Sequence, residues 1–169
     1  KLKRLDPVVN VPDRVSVRLE ETRLLVTHLL MLNVERAGIY GLDLVPQTNF
    51  TVADVRGDAL DDWKVTDGKL RVNFKSQVLG QRRLEIQLEQ PHKTFPARLD
   101  IAALRVTGAA KETSRLGAAA AQGIRLKTAE LTGLREVPVN LIGPSADEVL
   151  GYLADQPDWK LALAPERLP

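Results

Sequence analysis

The chain has 169 residues, 44% of them apolar and 27% charged, with 24 basic against 22 acidic side chains and a net charge of +2. That length holds one full domain or two small ones, and the dispersed basic excess lacks the clustered Lys and Arg with interleaved aromatics of a nucleic-acid binder. With no cysteine, disulfides, thiol nucleophiles, thiolate zinc sites and cysteine-held iron–sulfur clusters are excluded.

The segment Lys1 to Pro12 reads as a lead-in, with Pro7 and Pro12 breaking regular structure. A first strand is predicted over Arg14 to Leu19, where Val15, Val17 and Leu19 share one face. Arg23 to Glu35 has apolar residues at even positions and is read as a long strand. A helix is the alternative, because Leu25, Leu29 and Leu32 also fit a 3.6-residue period. This stretch is too short and too interrupted, by Thr27, His28 and Asn33, for the ~18 apolar residues of a membrane span. Ala37-Gly38 separates it from another alternating run, Tyr40, Leu42 and Leu44, which predicts a hairpin.

The stretch from Phe50 to Leu88 carries the strongest fold signal. Its apolar residues recur at every second position: Phe50 and Val52, Trp63 and Val65, Leu70 to Phe74, Leu84 to Leu88. Side chains on a strand face opposite ways in turn, so each short strand has one buried and one wet face. Thr66-Asp67-Gly68-Lys69 suits a type I′ hairpin turn, whose central residues need positive φ. That turn sets a register in which Trp63, Val65, Leu70 and Val72 are expected in one core. Gly80 marks a second turn, and Pro91 with Pro96 a junction.

Beyond the junction, strands are predicted over Leu99–Thr107, Gly123–Lys127, Leu150–Leu153 and Trp159–Leu163. Leu116–Ala121 is open to two readings, a helical turn or a strand packed closely under another layer. Ser145 and Glu148 resemble a capping box and suggest a helix start. The fold class is mainly β: an antiparallel β-sandwich over residues 1–93, with a smaller β-rich C-terminal module over 94–169 that stands alone or completes the first sandwich.

The sequence has no P-loop, nucleophile elbow, HExxH or glycine-rich dinucleotide turn. Its two histidines are His28, inside an apolar run and read as a satisfied strand residue, and His92, read as solvated. Asp54, Asp58, Asp61 and Asp62 form the densest carboxylate group. They read as a solvated loop; a calcium-like cation site or a carboxylate pair for glycoside hydrolysis are the alternatives. Trp63 is read as core. Trp159 follows the turn signal Gln156-Pro157-Asp158 and is the better placed of the two for exposure, but it alternates with Leu161 and Leu163 as one strand face, so core is the favoured reading for it as well. The candidate ligand-binding residues are therefore Asp54, Asp58, Asp61, Asp62 and Trp159, with no catalytic residue, metal site or cofactor assigned.

The run Val34-Glu35-Arg36-Ala37-Gly38-Ile39-Tyr40, then Leu44-Val45-Pro46, Phe50-Thr51-Val52 and Trp63-Lys64-Val65, resembles β-sandwich modules of large bacterial envelope proteins. Leu116-Gly117-Ala118-Ala119 and Arg135-Glu136-Val137-Pro138 are similar to the module that follows in such proteins. The resemblance implies an extracytoplasmic, modular and non-catalytic piece of a longer protein, consistent with a chain that opens on Lys1. The expected function is a scaffold or interaction region whose partner is another protein or a neighbouring module of the same chain. A glycan-binding accessory module is the second reading, and a hydrolase using the acidic loop the third. No nucleic-acid partner and no membrane span are expected in this segment.

Overall fold

The structure is a computed structural model that describes residues 5–143 and 147–169. Two strands dominate it: β2, Arg23–Val45, and β5, Lys69–Pro91, each of 23 residues. They pair antiparallel along their whole length, from Arg23 against Pro91 to Leu44 against Leu70. Straight strands of that length would span ~75 Å, far more than the ~15 Å radius of gyration of a chain this size allows. The ladder therefore bends, and the bend is written in its register. Four residues of β2, Glu35–Gly38, bulge out against Leu79, and then four of β5, Phe74–Lys75–Ser76–Gln77, bulge out against Tyr40. The two shifts cancel, so the same offset pairs both arms.

Cancellation matters because a one-residue slip turns every later side chain to the other face. Leu24, Val26, Leu30, Leu32 and Val34 on the first arm and Leu42 and Leu44 on the second are all buried. The even residues of β5 behave alike, from Leu70 and Val72 to Leu84, Ile86 and Leu88. The predicted hairpin at Ala37-Gly38 is thus replaced by a corner through which one strand continues. Gly80, with φ of +87°, lies at this corner.

β1, Val8–Leu19, runs antiparallel to β2 and is longer than its predicted span. Pro12 does not break it; the β1–β2 pairing skips Val11 and Pro12 and resumes in the same register at Asp13. β3, Thr51–Gly57, and β4, Leu60–Thr66, both pair with β5, one on each arm. The connection between them cuts across the corner, where Lys75 N–H donates to the Ala59 carbonyl at 2.8 Å. The β4–β5 turn has Asp67 at φ +51° and Gly68 at φ +76° with Thr66 opposite Lys69, the geometry the sequence predicts for Asp-Gly.

The C-terminal part adds β6, Leu99–Ala102; β7, Arg105–Val106; β8, Lys111–Ala120; β9, Ile124–Thr132; β10, Arg135–Val137; β11, Leu150–Ala154; and β12, Lys160–Arg167. Leu116–Ala120 is strand, with Leu116 and Ala118 wholly buried. Leu150–Ala154 is also strand, so the helix suggested there does not form at Glu148 and beyond; Ser145 lies outside the described residues. β8 lies parallel to β1, with Val15 beside Leu116 and Val17 beside Ala118. The large sheet is therefore mixed, in the order β10-β11-β8-β1-β2-β5-β3, with β4 also on β5 and β7 on β2. Residues from both sides of position 93 share this sheet and one apolar core. A second, antiparallel sheet, β6-β12-β9, contributes Leu99, Ile101, Leu126, Leu161 and Leu163 to that core. The mainly-β sandwich class expected from sequence is the fold observed, with one parallel pair within it.

On the outer face of β8, Glu148 lies over Gly117, where the carboxylate pairs with Arg14. Its side chain is only 5% exposed. A Cβ at position 117 would overlap this carboxylate. Gly117→Ala is expected to expel Glu148 from Arg14 and lower stability by about 1–3 kcal/mol, read as a shift in urea midpoint. Gly117→Ala/Glu148→Ala should lose less than the two single losses added, because the second change removes the clash the first creates.

Candidate functional site

The acidic residues lie where β3 and β4 cross the corner, and the chain there is irregular. Both strands have a register shift, between Val52 and Asp54 on β3 and between Leu60 and Asp62 on β4. Such bulges re-aim side chains at sheet edges. Here they turn the carboxylates apart. Asp54 accepts from Arg56 Nε at 2.7 Å and from the Val55 amide at 2.9 Å. Asp62 accepts from Asn73 Nδ2 at 2.7 Å, on the other arm of β5. Asp58 is in the connecting turn beside Arg56, Arg83 and Glu85, and Asp61 is exposed. Each carboxylate that has a polar partner meets a different one. Among the described residues no three His, Cys, Asp or Glu side chains stand together to hold a metal ion.

Trp159 is 2% exposed. Its indole N–H donates to Ser114 Oγ on β8 at 3.0 Å, so the ring joins the two sheets and offers no open face. Trp63 has the opposite fate. It packs against the core and is only partly buried, and its neighbour Val65 is 45% exposed. Leu70 and Val72, their partners on β5, are fully buried. The expectation that all four share one core thus holds for the β5 pair and fails for β4. The cause is the corner: past it, the two arms of the edge diverge and leave a groove of about 860 Å³.

This groove is bounded by Thr51 and Val52 of β3, Trp63, Lys64 and Val65 of β4, the Asp67-Gly68 turn, and the segment 45–50 with Phe50. Its loop wall is fastened at two points. Gln47 donates from Nε2 to the Asp100 carbonyl at 2.9 Å and accepts from the Ala102 amide at 2.8 Å. Gln90 Nε2 donates to the Asn49 carbonyl at 3.2 Å. Asn49 itself has φ of +74°, a conformation Asn tolerates better than most residues. It turns the chain so that Phe50, half-buried, packs on the core beside the groove.

Two polar clusters lie inside the sandwich; the sequence reads His28 as a strand residue with a satisfied ring, but does not foresee its partner Asp13 or the Tyr152–Thr128 pair. Asp13 occupies an inward position of β1 between Val11 and Val15 and is 7% exposed. Its Oδ2 accepts from Nδ1 of His28 at 2.6 Å, and His28 is wholly buried. Asp13 Oδ1 and His28 Nε2 have no partner among the described residues. The signal was present as an acid in the apolar register of a strand. Between the sheets, Tyr152 on β11 and Thr128 on β9 bring their hydroxyls within 2.6 Å, and Thr128 donates to Glu136. Ala129 is skipped in the β9–β12 register beside Thr128. Burial pushes the Tyr152 phenol up to about 12; the Thr128 hydrogen bond offsets part of this and the Glu136 charge adds to it.

No protein-family model matches the chain, and no curated protein matches it. Solved structures do. The chain is similar to an M1 zinc metallopeptidase from Deinococcus radiodurans, with TM-score 0.57 and 10% identity over 93% of this chain and 42% of that one. A mutant of that enzyme bound to a Tyr-Ser-Ala substrate gives TM-score 0.56 and 11% identity over the same shares. A two-domain M1 zinc metallopeptidase mutant bound to L-tryptophan gives 0.55 and 10%, over 93% and 43%. These likenesses show a shared fold, and the chain spans less than half the length of the structures it matches. Zinc needs several nitrogen, sulfur or carboxylate ligands converging on one point, and among the described residues no such set is present. His28 is held by Asp13 inside the core, and His92 Nε2 donates to the Glu21 carbonyl at 2.8 Å.

Two outcomes follow for the buried polar groups. Asp13→Ala leaves a buried imidazole without its partner and is expected to cost about 1–3 kcal/mol, measured by urea denaturation. Tyr152 has a folded pKa above its unfolded value of 10.0, so the fold favours the neutral phenol. Its contribution is complete below pH 10 and is lost as pH rises from 10 towards 12. The urea midpoint should fall across that window, and Tyr152→Phe should remove this part of the fall.

Proposed function

We propose that this chain is a non-catalytic β module of a longer protein, serving as a scaffold or interaction region beside other modules. One observation carries the reading: 93% of this chain superposes on only 42% of an M1 zinc metallopeptidase chain, while its own side chains form no zinc site among the described residues. The matched chains include a two-domain enzyme, and a share near two-fifths suits one domain of two. The module then corresponds to the part of such enzymes that does not hold the metal. A fold shared at 10% identity carries architecture across without carrying chemistry. The sequence likeness to envelope-protein modules extends the proposal to a bacterial protein working outside the cytoplasm, with another protein or a neighbouring module of its own chain as partner.

The purified chain, incubated with zinc and desalted, is expected to retain no stoichiometric metal and to leave aminoacyl-amide substrates intact. One retained zinc per chain together with hydrolysis would show the reading to be wrong. For the setting, the full open reading frame is expected to encode an export signal and at least one further module; a frame that encodes neither overturns that part.

A further inference from the structure

The groove between the diverging edges of β3 and β4 has a composition that the scaffold reading does not use. Trp63 and Phe50 pack against the core, are only partly buried, and line the groove. An aromatic ring held this way presents a rigid face whose negative quadrupole attracts C–H groups. Around the rings stand Asn49, Thr48, Thr51, Lys64 and Asp67, all exposed. They supply amide, hydroxyl, ammonium and carboxylate groups. The wall that holds Asn49 and Phe50 is pinned by Gln47 and Gln90, so a ligand meets groups already in place. The site is an aromatic floor with a few fixed polar groups, which is how small polar ligands are oriented.

The charge and the backbone narrow the ligand class. Lys64 and Asp67 are the only charged side chains lining the groove, and their formal charges cancel. A nucleic-acid groove would be strongly positive. A peptide adding as a strand needs a regular free edge. The groove is walled by only Thr51 and Val52 of β3, up to the register shift at Val52/Asp54, and by Trp63–Val65 of β4, beyond the shift at Leu60/Asp62, so a peptide finds little regular edge to extend. A neutral saccharide needs no regular edge. Its C–H faces stack on aromatic rings, and its hydroxyls both donate to and accept from the groups at the rim.

We infer that this groove binds a neutral carbohydrate chain, with Trp63 as stacking platform, Phe50 as a second apolar contact, and Asn49, Lys64 and Asp67 as hydrogen-bonding groups. The module can be a scaffold whether or not the groove is used, so this inference stands or falls separately from the metal and hydrolysis assays.

The test titrates the 169-residue chain with cellohexaose, chitohexaose and mannohexaose in turn, following tryptophan emission and heat of binding. Trp159 is shielded in the core, so a response reports on Trp63. At least one hexaose is expected to give a saturable change in emission. Trp63→Phe should abolish the emission change and weaken binding by about tenfold or more. Because Trp63 also packs on the core, Asp67→Asn and Lys64→Ala serve as variants that change only exposed side chains. Each should weaken binding severalfold with the melting temperature unchanged. No response to any hexaose in a cooperatively melting chain overturns the inference. So does binding that survives Trp63→Phe and Asp67→Asn undiminished. A saturable Trp63 signal from an extended Val-Thr hexapeptide, with none from the hexaoses, overturns it in favour of strand addition.

Discussion

The reciprocal bulge in the β2–β5 ladder is the constraint on which the rest of the molecule depends. Two 23-residue strands paired end to end would make a flat ribbon with one apolar face open to water. Folding the ribbon at Glu35–Gly38 and Phe74–Gln77 brings its arms together, and the equal, opposed shifts keep the even-numbered side chains inside on both. One bulge alone would bury one arm and expose the other. The two loops also touch: a Cβ on Gly38 would overlap the Gln77 side chain. Gly38, which has no positive φ, leaves room for the exposed Gln77 side chain to lie across it.

Everything else closes around that folded ribbon. β1 and β8 extend the first arm, and their parallel pairing explains the small residues of β8. Gly117 makes room for the Glu148 carboxylate, and Ala118 sits beside Val17 in the core. The three-stranded sheet then covers the inner face. Its attachment uses polar contacts as well as apolar ones: Trp159 to Ser114, and Thr128 to Tyr152. Directional bonds of this kind fix how two layers sit on each other, where hydrophobic contact is indifferent to angle. Asp13 and His28 add a further polar pair within the large sheet, on neighbouring strands. Their two unpartnered atoms make the pair costly to bury, so a polar interior is tolerated where an apolar one would fit.

How much of this was legible follows from what alternation can encode. Period-two patterning identified the strands of the first half, because each has one wet face, and Asp67-Gly68 named its own turn type. The corner was invisible for the same reason. Alternation resumes in phase beyond it, so Ala37-Gly38 looked like a hairpin between two strands and not like a bulge within one. In the second half, Leu116–Ala120 is buried almost throughout, which erases the alternation and leaves strand and helix equally plausible from sequence. The aromatic residues depend on tertiary context. Trp159 follows a turn, yet its alternation with Leu161 and Leu163 rightly favoured the core, where the layer of β8 covers it; Trp63 lies in a clean alternating run, yet its strand is an edge past a corner and leaves it only partly buried. The carboxylates from Asp54 to Asp62 are close in sequence, yet Asp54 and Asp62 bond to different partners on either side of the corner.

The groove is a geometric consequence of the same corner. β3 and β4 follow the two arms of β5 and are joined by only Asp58-Ala59, so they meet at the corner and separate away from it. Where they separate, the core lacks a strand to cover it, and Phe50 and Trp63, partly buried, fill that position. An edge left this way invites pairing with another chain, and the bulges on both strands oppose that pairing. The likeness to metallopeptidase chains at 10% identity concerns the overall fold. It does not account for the residues that line the opening, and a ligand specificity, where this chain has one, has to come from side chains of that kind and not from the shared architecture.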